Sequence, residues 1–96
     1  MPVKVVATVQ ARPGHEDALA AVLAACVAPS AAEPGCLSYI LHRVRDRPGR
    51  FVFLEQWAND PAFSAHQATP HFQALVAGVA DHIDSPPDVM VVEEVA

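Results

Sequence analysis

Hydrophobic positions along the chain change period several times, and each change marks an element. VKVVATVQA, residues 3–11, is dense in valine and stops at Arg12-Pro13-Gly14, the pattern of a strand running into a breaker. From Gly14 to about Pro29 the period lengthens. Leu19, Val22, Leu23, Cys26 and Val27 recur at three-and-four spacing, which predicts a helix with one apolar stripe and with Glu16 and Asp17 in its first turn, where carboxylates suit the helix dipole. Pro29 is expected to end it. Glu33-Pro34-Gly35 reads as a turn, CLSYILHRV (36–44) as a second strand, Asp46-Arg47-Pro48-Gly49 as a hairpin, and RFVFLEQW (50–57) as a third strand rich in aromatic and β-branched residues. Asp60-Pro61 and Thr69-Pro70 then repeat one helix-start signal, a capping side chain directly before proline. They predict a short helix over 60–67 and a longer one from Pro70 to about Ile83, with Phe72, Leu75, Val76, Val79 and Ile83 facing inward. Ser85-Pro86-Pro87 interrupts the chain before a last strand, DVMVVEEV, 88–95.

The order is strand, helix, strand, strand, helix, strand. With right-handed crossovers, it predicts an α+β, ferredoxin-like βαββαβ fold: a four-stranded antiparallel sheet carrying its helices on one face, one domain spanning 1–96. The strands do not alternate cleanly, however. Phe51 to Leu54 are consecutive apolar residues, as are Val5 to Ala7 and Val89 to Val92. Strands apolar on both sides need cover on both sides, and a bare apolar face of several hundred Å² exceeds what a lone soluble chain usually shows (roughly 300–600 Å² at most). A second copy is the expected cover, giving a homodimer with its sheets packed face to face.

Composition sharpens this picture. Of 96 residues, 52% are hydrophobic, more than one small core readily hides, and the net charge of −5 comes with Lys4 as the only lysine. Nucleic acid and anionic membranes are therefore not expected partners. No apolar run approaches the ~20 residues of a membrane span, and the N-terminus alternates as a strand rather than as a secretion signal. Cys26 and Cys36 lack CxxC spacing, so both are expected to be reduced, and the protein cytoplasmic. Four glycines form no GxGxxG, no phosphate-binding loop and no GxSxG elbow, which removes dinucleotide, nucleoside-triphosphate and serine-hydrolase chemistry.

What remains is SAHQATPHFQAL, residues 64–75, with two histidines five apart across a helix break. A zinc-binding helical pair stands at i, i+4, so no metal is expected from His66 and His71 alone. His71 lies in the first turn of its helix, where the positive end disfavours imidazolium and leaves a neutral ring able to accept a proton. Trp57 ends the third strand with a face suited to a flat aromatic ligand, and Glu55 lies on the same side. Whether His42 or Tyr39 joins them depends on the hairpin: an even loop places His42 there, an odd loop Tyr39. Four turn residues, 46–49, favour His42.

ARPG (11–14), EPGCLSY (33–39), EQW (55–57) and AHQATPHF (65–72) together resemble the antibiotic biosynthesis monooxygenase family, in particular its small quinol-monooxygenase-like branch. The resemblance implies a dimeric α+β barrel and oxygenation without cofactor, metal or flavin: an electron-rich phenol, anthrone or quinol loses a proton and its anion reduces O2. It implies His71 and His66 as catalytic residues and Trp57, His42, Tyr39, Glu55, Phe53 and Phe72 as substrate-binding ones, with an aromatic small molecule and O2 as partners. Anthrone-oxidising members carry Asn four residues before the strand-end Trp; Phe53 stands here. Haem-degrading relatives use Asn, Trp and His where this chain has Ala7, His66 and Val76. A sugar-phosphate isomerase branch shares Thr69-Pro70-His71, so an isomerase, or a non-catalytic small-molecule-binding module, is the alternative reading.

Overall fold

Valine at alternate positions of the first strand decides which side of the sheet the helices cover. In the computed structural model, which describes residues 1–96, β1 (Val3–Gln10) buries Val3, Val5, Ala7 and Val9 and leaves the residues between them half-buried or exposed. It lies between β3 (Arg50–Trp57) and β4 (Asp88–Val92), and β2 (Cys36–Arg43) pairs with the far side of β3. The order β2-β3-β1-β4, antiparallel throughout, is the ferredoxin-like arrangement expected from the pattern.

The helices cover one face. Helix α1 (Glu16–Ala25) buries Leu19 and Leu23 completely against that face, as the spacing predicts. It does not run on to Pro29. The helix breaks at Cys26 and resumes as α2 (Val27–Ala31), which contains Pro29. Proline has no N–H to bond the carbonyl of residue 25, so the ladder loosens there, yet within the first turn of a new helix it costs nothing. The Cys26 N–H turns to the Leu23 carbonyl at 3.2 Å, and the chain is helical again by Ser30, whose N–H reaches Cys26 O at 3.2 Å.

One cap and two boundaries also differ from expectation. Helix α3 (Asp60–Gln67) is capped by Asn59, whose side chain accepts from Ala62 N at 2.9 Å; Asp60 already lies within the first turn. Helix α4 (Pro70–Val79) is capped as expected by Thr69, then tightens into a 3-10 turn, Ala80–His82, instead of continuing to Ile83. Strand β4 stops at Val92, because it pairs with β1 only from Lys4 to Thr8.

The hairpin between β2 and β3 settles the parity question. Tyr39 pairs with Glu55, Leu41 with Phe53 and Arg43 with Phe51. The Val44 N–H donates to Arg50 O at 2.9 Å, leaving five loop residues, 45–49, an odd number. Tyr39 therefore faces the helices, and the expectation for His42 is wrong: it pairs with Val52 on the opposite face and is exposed. That opposite face carries Val6, Val52, Ile40, Leu54, Met90 and Val92, the last four exposed. No helix is long and apolar enough to cross a membrane.

Candidate functional site

Between the covered face of the sheet and helices α3 and α4 lies a cavity of about 430 Å³. Val5, Ala7 and Phe53 form its floor; Phe72, Leu75 and Val79 form its roof. Apart from Glu55, His66 and Gln67, its lining is apolar or aromatic, and Gln67 is an exposed residue at the mouth. Two ionisable side chains therefore face an oily interior.

His66 is held from both ends. Its backbone is fixed by Thr69, whose hydroxyl donates to His66 O at 2.7 Å while accepting from Phe72 N at 3.2 Å. One hydroxyl thus caps α4 and ties it to the end of α3. The ring is packed against Trp57, Phe72 and Tyr39, with centroids 4.5, 5.1 and 5.4 Å away, and is 1% exposed. Its Nδ1 lies 2.6 Å from Oε2 of Glu33. His66 borders the cavity, and with Nδ1 engaged by Glu33 its Nε2, which makes no hydrogen bond, is the nitrogen left free for a ligand. An ionised carboxylate accepts only, so opposite it a neutral His66 ring carries its hydrogen on Nδ1 and its lone pair on Nε2.

Glu33 comes from the α2–β2 turn. Its N–H donates to Ser30 O and its carbonyl accepts from Cys36 N, closing the turn that Pro34 and Gly35 permit. The same Oε2 that meets His66 lies 2.8 Å from Nε2 of His71. His71 is thus joined to the site through Glu33 but does not line the cavity; it borders a separate groove between α1 and α4. His71, expected as a catalytic residue, therefore reaches the cavity only through Glu33 and His66.

Glu55 lies on β3 beside Tyr39 of β2 and Val5 of β1. Burial pushes its carboxyl above the usual carboxylate range, although the Trp57 indole N–H donates to Oε1 at 2.9 Å and His66 lies nearby, both of which oppose the shift. Trp57 itself is fully buried and absent from the lining. Its indole positions Glu55 and its ring backs His66, so it offers no face to a ligand. Tyr39 contributes its ring to the wall but turns its hydroxyl toward Cys26 Sγ, 3.8 Å away, and burial raises its pKa. Of the expected residues, His66, Glu55, Tyr39, Phe53 and Phe72 come together around the cavity; Trp57, His71 and His42 do not line it. The sequence marks Glu33 only as part of a turn, and nothing in EPG alone signals a carboxylate aimed at two histidines.

Residues 2–78 match the family model for antibiotic biosynthesis monooxygenase. The chain belongs to that family. Rv0793 of Mycobacterium tuberculosis is 36% identical over 90 residues, covering 94% of this chain and 88% of that protein; its solved structure superposes with a TM-score of 0.93 at 33% identity, over 100% of this chain and 97% of that one. PA3566 of Pseudomonas aeruginosa gives 0.92 at 39% identity, over 99% and 95% of the two chains. A solved antibiotic biosynthesis monooxygenase gives 0.91 at 32%, over 98% and 99%. Against sll1783 of Synechocystis, 28% identical over 90 residues, the match takes in 94% of this chain but only 61% of that longer protein.

Proposed function

We propose that this chain is a cofactor-independent monooxygenase that uses O2 to oxidise an apolar, phenolic aromatic compound to a quinone in the cavity beneath α3 and α4. The observation that carries the reading is the pairing of an oily chamber with one imidazole on its wall, free at one nitrogen and held by a carboxylate at the other. The volume of about 430 Å³ suits a ligand of two or three fused rings, within the ~300–1,000 Å³ usual for small-molecule sites.

The chemistry follows from the two polar groups. His66 Nε2 takes the phenolic proton, and the resulting imidazolium is stabilised through Nδ1–H by Glu33. The phenolate passes electron density to a ring carbon that still bears hydrogen. O2 bonds to that carbon, forming a peroxide whose outer oxygen is protonated. Glu55, biased by burial toward its neutral form, is the donor placed to hold that oxygen. Loss of the ring C–H proton then breaks the O–O bond, leaving C=O on the ring and releasing water. Phenol plus O2 gives quinone plus water, with all four electrons supplied by the substrate, so the step needs no external reductant. An apolar chamber helps by excluding water from the anion.

A sugar-phosphate isomerase would need cations on the anion. Arg43, Arg45 and Arg47 are exposed and none borders the cavity, which weighs against that alternative. The exposed apolar face around Ile40, Leu54 and Met90 is, in this reading, covered by a second copy; Leu54→Lys is expected to shift the protein from dimer to monomer in sedimentation experiments. The reaction itself is tested by stoichiometry in an oxygen electrode with naphthols. One O2 per quinone, unaffected by catalase, is expected; oxygen returned by catalase would mean peroxide release and oxidase chemistry instead.

A further inference from the structure

We propose that Glu33, His66 and His71 form a binding site for a divalent transition-metal ion, entered from the groove between α1 and α4 and separate from the substrate cavity. The spacing of the two histidines along the chain argues against a metal pair, but the fold supplies what the spacing lacks: a third ligand, Glu33, more than thirty residues away. One ligand atom from each of Glu33, His66 and His71 lies within 4.8 Å of the others, and His66 Nδ1 and His71 Nε2 already meet one Glu33 oxygen. Two imidazoles and one carboxylate are the donor set of many zinc sites with an open position, and nitrogen-rich sites of this kind select zinc, cobalt or copper over magnesium or calcium.

The present separations are those of hydrogen bonds, 2.6 and 2.8 Å to the shared oxygen. Around a tetrahedral ion with bonds of ~2.0 Å, ligand atoms stand about 3.3 Å apart. The rings and the carboxylate must therefore part by roughly half an ångström or a little more while the two nitrogens, within 4.8 Å of each other, close toward the tetrahedral spacing, and the hydrogen on each ligating nitrogen moves through solvent to that ring's other nitrogen. His71 and Glu33 have the freedom to do so. Their side chains are 23% and 12% exposed against 2% for His66, and His71 borders a groove of about 260 Å³ walled by Val22, Ala25, Ala74 and Gly78. The ion approaches from that side and meets His66 last. Its fourth position points to the groove, where water can occupy it. Because the ion takes Nδ1, the hydrogen of His66 resides on Nε2, so the ring still borders the cavity but accepts no proton there while the metal is bound.

The proposal concerns binding and does not depend on the oxygenase reading, so the test reads the metal alone. Cobalt(II), added to untagged, metal-stripped protein, is expected to bind one-to-one and to develop the intense visible absorption of a four-coordinate ion; zinc should displace it. Glu33→Gln and His71→Ala should each weaken binding by at least about tenfold, the scale on which even supporting residues act. His15→Ala is the control, since His15 and His82, 2.9 Å apart at their Nδ1 atoms, are the other close imidazole pair. Circular dichroism identifies any variant that has lost its fold, and the two substitutions make the result independent of either one. No cobalt spectrum, binding unchanged in Glu33→Gln and His71→Ala, or binding lost only in His15→Ala would each overturn the site.

Discussion

Replacing Glu33 with alanine removes the acceptor that two imidazoles share, and the structure gives the size of the loss. His71 is partly exposed and can turn to water, so its bond contributes little. His66 is not in that position: its side chain is 2% exposed and enclosed by Trp57, Tyr39 and Phe72. With Glu33 gone, Nδ1 has no partner in either tautomer, because moving the hydrogen to Nε2 merely leaves an unpaired acceptor. An orphaned buried polar atom costs about 1–3 kcal/mol. A loss near 2 kcal/mol is expected, which for a chain of this size lowers Tm by roughly 8–16 °C. Urea unfolding monitored by Trp57 fluorescence gives the free energy, and histidine nitrogen NMR gives the tautomer. Wild type should show His66 protonated at Nδ1, and Glu33→Ala should release that preference. A change in stability below about 0.5 kcal/mol, within the range of an ordinary surface substitution, together with an unchanged tautomer, would refute the claim that Glu33 orients the ring.

Two other perturbations probe neighbouring parts of the same assembly. A methyl group at Gly35 would overlap Ala62 Cβ and come within 3.4 Å of its Cα, so Gly35→Ala must push α3, and His66 with it, away from the turn bearing Glu33. A cost of about 1–3 kcal/mol is expected, read by urea unfolding; a neutral result would mean that α3 is not seated against this turn. Glu55 supplies a pH test. Its carboxyl is raised above 4.5 by burial, so the folded state binds the proton more tightly than the unfolded state. The associated stability is present below the unfolded pKa and is lost as pH rises through the folded one. The Tm advantage of wild type over Glu55→Gln, which cannot ionise, should therefore shrink between acidic and neutral pH; a constant difference would contradict the shift.

Much of this fold is legible in the chain because its period changes are abrupt. β3 begins and ends at Arg50 and Trp57 as its aromatic run predicts, and Thr69-Pro70 starts α4 through the hydroxyl cap that the pair implies. Where the reading slips, a local signal was outcompeted. Asn59 takes the cap from Asp60, and Pro29 breaks a helix without ending it. His42 lost its place to Tyr39 through one additional hairpin residue, a parity that turn composition does not encode. The site was harder still. A local argument about the helix dipole favours His71, but the cavity lies on the other side of Glu33, and only tertiary packing reveals that His66 has the buried position and the free nitrogen. Glu33 itself is invisible to any local rule, since its role is defined by side chains from two helices that arrive later in the sequence.

The account rests on one imidazole doing proton chemistry in a dry chamber, and the most direct measurement compares quinone formation from a naphthol by wild type and His66→Ala, in air and under nitrogen, beside the unassisted autoxidation rate. The expected result is wild-type turnover well above autoxidation in air and none under nitrogen, with His66→Ala slowed by at least about a hundredfold, the lower end of what a general base contributes. Turnover that persists without oxygen, or a folded His66→Ala protein as fast as wild type, would contradict it.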